Sequence, residues 1–104
     1  MKIFKLSFLL TVFFSMSTNA YLVNGKMLLN DYEKRKIAAT GYIEGISDTG
    51  NNSLFCIPAG TGTSQLKAVA LQYLKSNPDL LEQPAAYLVT RSFKEVFPCS
   101  NESP

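Results

Sequence analysis

Two cysteines, Cys56 and Cys99, and two carboxylates four residues apart, Glu44 and Asp48, are the side chains whose type and spacing could carry chemistry in this sequence. The cysteines are not arranged as Cys-x-x-Cys, so a thioredoxin-like redox pair is not supported. The chain has no histidine, which removes the commonest general base and metal ligand. Glu44 and Asp48 could project together from a helix and do acid/base work, although a solvated helix end is the plainer reading. There is no phosphate loop and no Gly-x-Ser-x-Gly elbow. These residues describe a protein that is not an enzyme and that calls for no cofactor or metal. What remains for such a chain is binding.

The compartment decides what the cysteines do. Residues 1–20 have the form of a secretory signal peptide, with Lys2 and Lys5 ahead of a short apolar run through Phe13-Phe14. Thr18-Asn19-Ala20 places small residues at the cleavage site, so the mature chain begins at Tyr21. The run is shorter than the ~20 apolar residues a membrane span requires, and after cleavage no membrane association is expected. Without Lys2 and Lys5 the basic and acidic residues balance at eight each. No basic stripe remains to suggest nucleic acid. In an exported chain two cysteines fit a disulfide better than a nucleophile or a metal site. For a small domain with a thin core, a Cys56–Cys99 bond would close a loop worth up to about 4 kcal/mol by chain entropy.

The elements that must position these residues read as helices throughout. Asn24 can cap a first helix, and Leu28, Tyr32, Ala39, Ile43 and Ile46 recur at helical steps. The polar run Asp31–Lys36 leaves two readings open, one bent helix over roughly 25–48 or two helices breaking near Asp31. Lys34-Arg35-Lys36 reads as a solvated face. Gly41 and Gly45 share a face, and close approach of another helix or a kink would account for them. Residues 47–63 read as loop, dense in turn formers at Asp48-Thr49-Gly50-Asn51-Asn52-Ser53 and again at Gly60-Thr61-Gly62. The apolar Leu54–Ile57 between them is expected to dip into the core. A connection this long is more often functional than not.

Thr63 can cap the next helix, whose face is Leu66, Val69, Ala70, Tyr73 and Leu74 and which Asn77-Pro78 ends. Pro84 suits the first position of the last helix. Its buried face is expected to be Ala85, Leu88, Val89, Ser92, Phe93 and Val96, with Pro98 stopping it beside Cys99. Ser100–Pro104 is a polar tail. No strand is convincing. The fold class is all-α, a small bundle of about four helices with one intramolecular disulfide, in a single domain over 21–104.

The order of residues adds a resemblance. Gly41-Tyr42-Ile43-Glu44-Gly45-Ile46-x-Asp48 is followed by Phe55-Cys56-Ile57-Pro58, and then by Gln65-Leu66, Tyr73-Leu74, Asn77-Pro78, Pro84-Ala85, Leu88-Val89 and Phe97-Pro98-Cys99. This order resembles the Rap/Tai family of immunity proteins associated with type VI secretion, over roughly 25–99. The resemblance implies a helical, disulfide-bonded periplasmic protein, commonly a homodimer, that binds and blocks a peptidoglycan amidase effector with a surface loop. Cys56 and Cys99 match the family's cysteines. Many relatives carry a further cysteine pair in the N-terminal helices, where this chain has none. Loop character alone nominates Asp48, Thr49, Gly50, Asn51, Asn52 and Ser53 as the effector-binding segment. The alternative from another class is a small periplasmic acid-stress chaperone, which shares the size, the helices and the single disulfide.

Overall fold

Asn24 opens the first helix with its side chain, whose oxygen accepts from the Met27 N–H at 2.8 Å, the expected N-cap bond. The computed structural model describes residues 22–100. The expected leader with its cleavage site, and the end of the tail, lie outside that range. Four helices follow in order: α1, Gly25–Lys34; α2, Lys36–Gly50; α3, Thr63–Ser76; and α4, Ala85–Val96. A 3-10 turn, Pro78–Leu80, joins α3 to the approach of α4. Each helix touches the other three, and no strand occurs among the described residues. The bundle is all-α.

Of the two readings for the N-terminal half, the structure has two helices, and the break falls at Arg35. Asp31 stays inside α1. The polar run weakens the helix where no apolar side chain is available to hold residue 35 or 36 on the core. Lys34, Arg35 and Lys36 are all exposed there. Lys36 swings its ammonium back over the Tyr32 ring, 5.8 Å from the centroid.

The core is built from one stripe of each helix: Leu28 from α1, Ala39 and Ile43 from α2, Leu66, Ala70 and Leu74 from α3, and Leu88, Val89 and Phe93 from α4. The periodic positions therefore do what their spacing requires. Val96 departs from it, being half exposed. Phe97, just beyond the helix, folds inward instead, 6.0 Å from Phe93 between centroids. Once Phe97 fills that end of the core, Val96 is left facing out. The two buried hydroxyls, Ser47 and Ser92, donate to the carbonyls of Ile43 and Val89, so neither is left unpaired in an apolar surrounding.

The starts of α1 and α4 satisfy each other. The Gly25 and Lys26 N–H groups donate to the carbonyls of Gln83 and Leu81, and the Ala85 N–H donates to the Val23 carbonyl. Pro84 has no side-chain oxygen with which to cap α4, so the chain entering α1 supplies an acceptor. Pro84 is the N-cap, and α4 begins one residue later than its fixed φ suggested. At the other end Cys56 and Cys99 are bonded. The Cys56 N–H donates to the Phe97 carbonyl at 2.8 Å beside the bond. These two clasps fix the start of α4 to the chain entering α1, and its end to the segment between α2 and α3.

Candidate binding surface

The segment after α2 is pinned from Asn51 to Ile57. Phe55 is fully buried and meets Phe93 edge to face, 5.1 Å between centroids. Gly50 lies directly against the Phe55 ring, and a Cβ there would stand 2.7 Å from two ring carbons. The chain between them turns tightly. Ser53 and Leu54 donate their N–H groups to the Gly50 carbonyl, and the Asn52 N–H donates to the Phe55 carbonyl at 2.7 Å. Asn52 takes the left-handed conformation, φ 68°, which asparagine tolerates better than most residues. The Asn51 side chain reaches across the turn and accepts from the Ile57 N–H at 2.8 Å.

This corrects the extent of the loop. α2 continues through Gly50, so Asp48, Thr49 and Gly50 are helical rather than part of a free segment. The turn-forming side chains do not break the helix because they bond back along it. Ser47 Oγ donates to the Ile43 carbonyl and Thr49 Oγ1 to the Gly45 carbonyl, a local alternative open to short hydroxyl side chains. Of the six nominated residues, Asp48, Thr49, Asn52 and Ser53 are exposed, Gly50 is buried, and Asn51 is half buried. Leu54, expected to dip inward, is instead 49% exposed because Phe55 takes the inward position.

Leu54 and Thr49 close one end of an open groove of about 520 Å³ that runs between α2 and α4. Gly41 and Gly45 form its α2 wall, Tyr42 and Ile46 contribute from the same helix, and Ala86 and Thr90 come from α4. The expectation that these glycines admit another helix of the bundle is not met, because a Cβ at either would meet nothing within 4 Å. Neither marks a kink or an early end, since α2 runs unbroken through both. They keep a groove open rather than a helix contact tight. Sequence reading missed the groove because α4 supplies its far wall, and the only signal was the glycine pair.

Burial raises the Tyr42 phenol above its ordinary pKa, and the Ala86 N–H at the start of α4 partly offsets this. Tyr42 therefore stands neutral at the groove, tied to α4. Glu44 and Asp48 do not act as a pair. Glu44 Oε2 accepts from Thr63 Oγ1 at 2.9 Å, which ties α2 to the start of α3. Thr63 consequently sits inside α3, whose N-cap is Gly62 with no side-chain cap bond. Among the described residues no group of His, Cys, Asp and Glu could hold a metal ion, and no helix is long and apolar enough to cross a membrane. The arrangement is a turn held by its own backbone bonds, with Leu54 exposed at its tip beside a groove.

Compared with known proteins, the chain matches the family model described as Rap1a immunity proteins over residues 22–99. That span takes in all four helices, the pinned turn and both cysteines. Comparisons with curated proteins and with solved structures returned no match.

Proposed function

This chain belongs to the Rap1a immunity protein family, and on that premise we propose that it neutralises a peptidoglycan amidase effector in the periplasm. Membership gives the coarse role: a non-catalytic immunity protein that binds an effector protein. The amidase as target is supported by the ordered residues from Gly41 to Cys99 that resemble the Rap/Tai proteins. Export is supported by the form of residues 1–20 and by the Cys56–Cys99 bond, which persists in an oxidising compartment.

The observation that carries the placement is the Gly50–Phe55 turn, held by backbone bonds and the Phe55 anchor. A turn ordered before binding loses little entropy on entering an enzyme's cleft. Asn52, Ser53 and Leu54 form the entering tip, with Asp48 and Thr49 on its flank. The groove beside the tip takes an apolar edge of the effector, and a homodimer presents two such surfaces. Inhibition on this reading is steric: the tip fills the cleft and no bond is made or broken. The test is co-expression in the periplasm with the amidase effectors of the same organism. Rescue of growth from one of them is the expected result. Lysis with every such effector would refute the proposal.

A further inference from the structure

Away from the turn, α4 carries an arginine held in an unusual setting. Arg91 Nε donates to the Tyr73 hydroxyl oxygen at 3.3 Å and Nη1 donates to the Tyr87 hydroxyl oxygen at 3.5 Å. Its guanidinium also lies over the Tyr87 ring, 5.9 Å from the centroid. Tyr73 comes from α3 and Tyr87 from the preceding turn of α4, so the guanidinium is fixed from two helices. The hydrogen bond that it donates to Tyr73, and then that to Tyr87, raise the Arg91 pKa. Two of the five guanidinium donors are thus engaged, and the outward end of the fork is free.

Among the described residues no carboxylate takes that fork. Among the described residues Arg91 has no ion-pair partner, and its only polar contacts are the two phenols. Lys94 and Glu95 line the same hollow, but Glu95 does not pair with Arg91. Phenol oxygens orient a guanidinium without neutralising it, which leaves full positive charge on an exposed, planar fork. That shape matches a carboxylate in two-point contact. Arginine with flanking tyrosines is also the composition typical of the energetic centre of a protein interface. Thr90 lines both this hollow and the groove between α2 and α4, so the two form one continuous surface.

We propose that Arg91, oriented by Tyr73 and Tyr87, is an anchor that reads an aspartate or glutamate carboxylate on a protein partner. This rests on the immunity reading only for the partner's identity, because the carboxylate chemistry stands by itself. Arg91 sets specificity here, while the turn at Asn52–Leu54 supplies the blocking contact. Substituting lysine keeps the charge and loses the fork, and substituting glutamate reverses the charge.

The chain has two arginines, Arg35 and Arg91, and exposed Arg35 makes no side-chain hydrogen bond among the described residues. It is therefore an internal control. The mature oxidised protein, labelled with 15N-arginine, is titrated with acetyl-Glu-Glu-amide and separately with acetyl-Gln-Gln-amide. The Arg91 guanidinium signals are expected to shift saturably with the glutamate peptide, at several-fold lower concentration than those of Arg35, and not with the glutamine peptide. The double variant Tyr73→Phe, Tyr87→Phe should bring Arg91 to the Arg35 level. Equal responses of the two arginines, or equal responses to the two peptides, would overturn the proposal.

A second arm uses the effector that rescues growth. Arg91→Lys should weaken its binding about tenfold and Arg91→Glu by more, in the range of a hot-spot residue. Unchanged binding by Arg91→Glu, with the wild type binding well, sinks the anchor and leaves the immunity reading intact. A selective peptide response with no effector bound does the reverse, sinking the amidase reading and leaving a carboxylate anchor for another acidic protein.

Discussion

Three glycines of α2 separate what the fold requires from what its surface is for. Gly50 lies against the Phe55 ring, and a Cβ would come within 2.7 Å of Cε2 and Cζ. That ring cannot retreat, being fully buried and wedged edge-on against Phe93 at 5.1 Å. Overpacking of this kind costs about 1–3 kcal/mol, and Gly50→Ala should be destabilised by that amount. Gly41 and Gly45 are the opposite case. Both lie in the helix interior, both are exposed, and a Cβ on either meets nothing. Alanine there gains about 1 kcal/mol of helix propensity per site, so Gly41→Ala and Gly45→Ala should each be more stable than wild type. Urea and thermal unfolding of the mature oxidised protein read both signs. About 1 kcal/mol corresponds to roughly 4–8 °C in a domain of this size. Destabilisation by Gly41→Ala or Gly45→Ala would refute the inference that this face is open in the folded chain. A neutral Gly50→Ala would refute the rigidity assigned to the turn.

Other outcomes follow from the same contacts. Reducing the Cys56–Cys99 bond frees a loop with a sequence separation of 43 and should lower stability by up to about 4 kcal/mol, seen as a fall in the urea midpoint with reductant. Asn52 stands at φ 68°, so Asn52→Val should cost about 1–2 kcal/mol while Asn52→Gly stays near wild type, because a branched side chain is strained in the left-handed region. Tyr42 has its pKa raised, first by burial. A raised folded pKa means a contribution that is complete below the ordinary phenol value of 10.0 and is lost as pH rises above it. Urea midpoints between pH 8 and 11.5 should therefore fall at the alkaline end, and less steeply in Tyr42→Phe.

Much of the fold was legible because each helix carries one apolar stripe at helical spacing. Leu66, Ala70 and Leu74 in α3 and Leu88, Val89 and Phe93 in α4 needed only that periodicity. The disulfide was legible from two cysteines in a chain whose first twenty residues have the form of a signal peptide. What could not be read was set by partners distant in sequence. Phe55 claims the inward position because Phe93 and Gly50 shape its slot, which turns Leu54 outward. Phe97 displaces Val96 for the same kind of reason. The break at Arg35 needed the core to show which face had no anchor. Of the candidate surface, Asp48–Ser53 was visible as turn composition, but composition could not tell a free loop from a helix end with a pinned turn. The groove and the Tyr73–Tyr87–Arg91 cluster each join two helices and exist only after packing. The acid-stress chaperone alternative shared every coarse feature, and family membership is what decides between the two readings.

The most direct measurement of the central claim is a titration of amidase activity. The mature oxidised protein is added to the purified effector on peptidoglycan fragments, with the Leu54→Asp variant run beside it. Leu54 is half exposed at the tip, so the variant should fold with wild-type stability. The account expects stoichiometric inhibition by the wild type and a loss of about a hundredfold or more in Leu54→Asp, as for a central hot spot. Inhibition undiminished in Leu54→Asp would contradict the assignment of the turn as the blocking element, and no inhibition by the wild type would contradict the amidase as target.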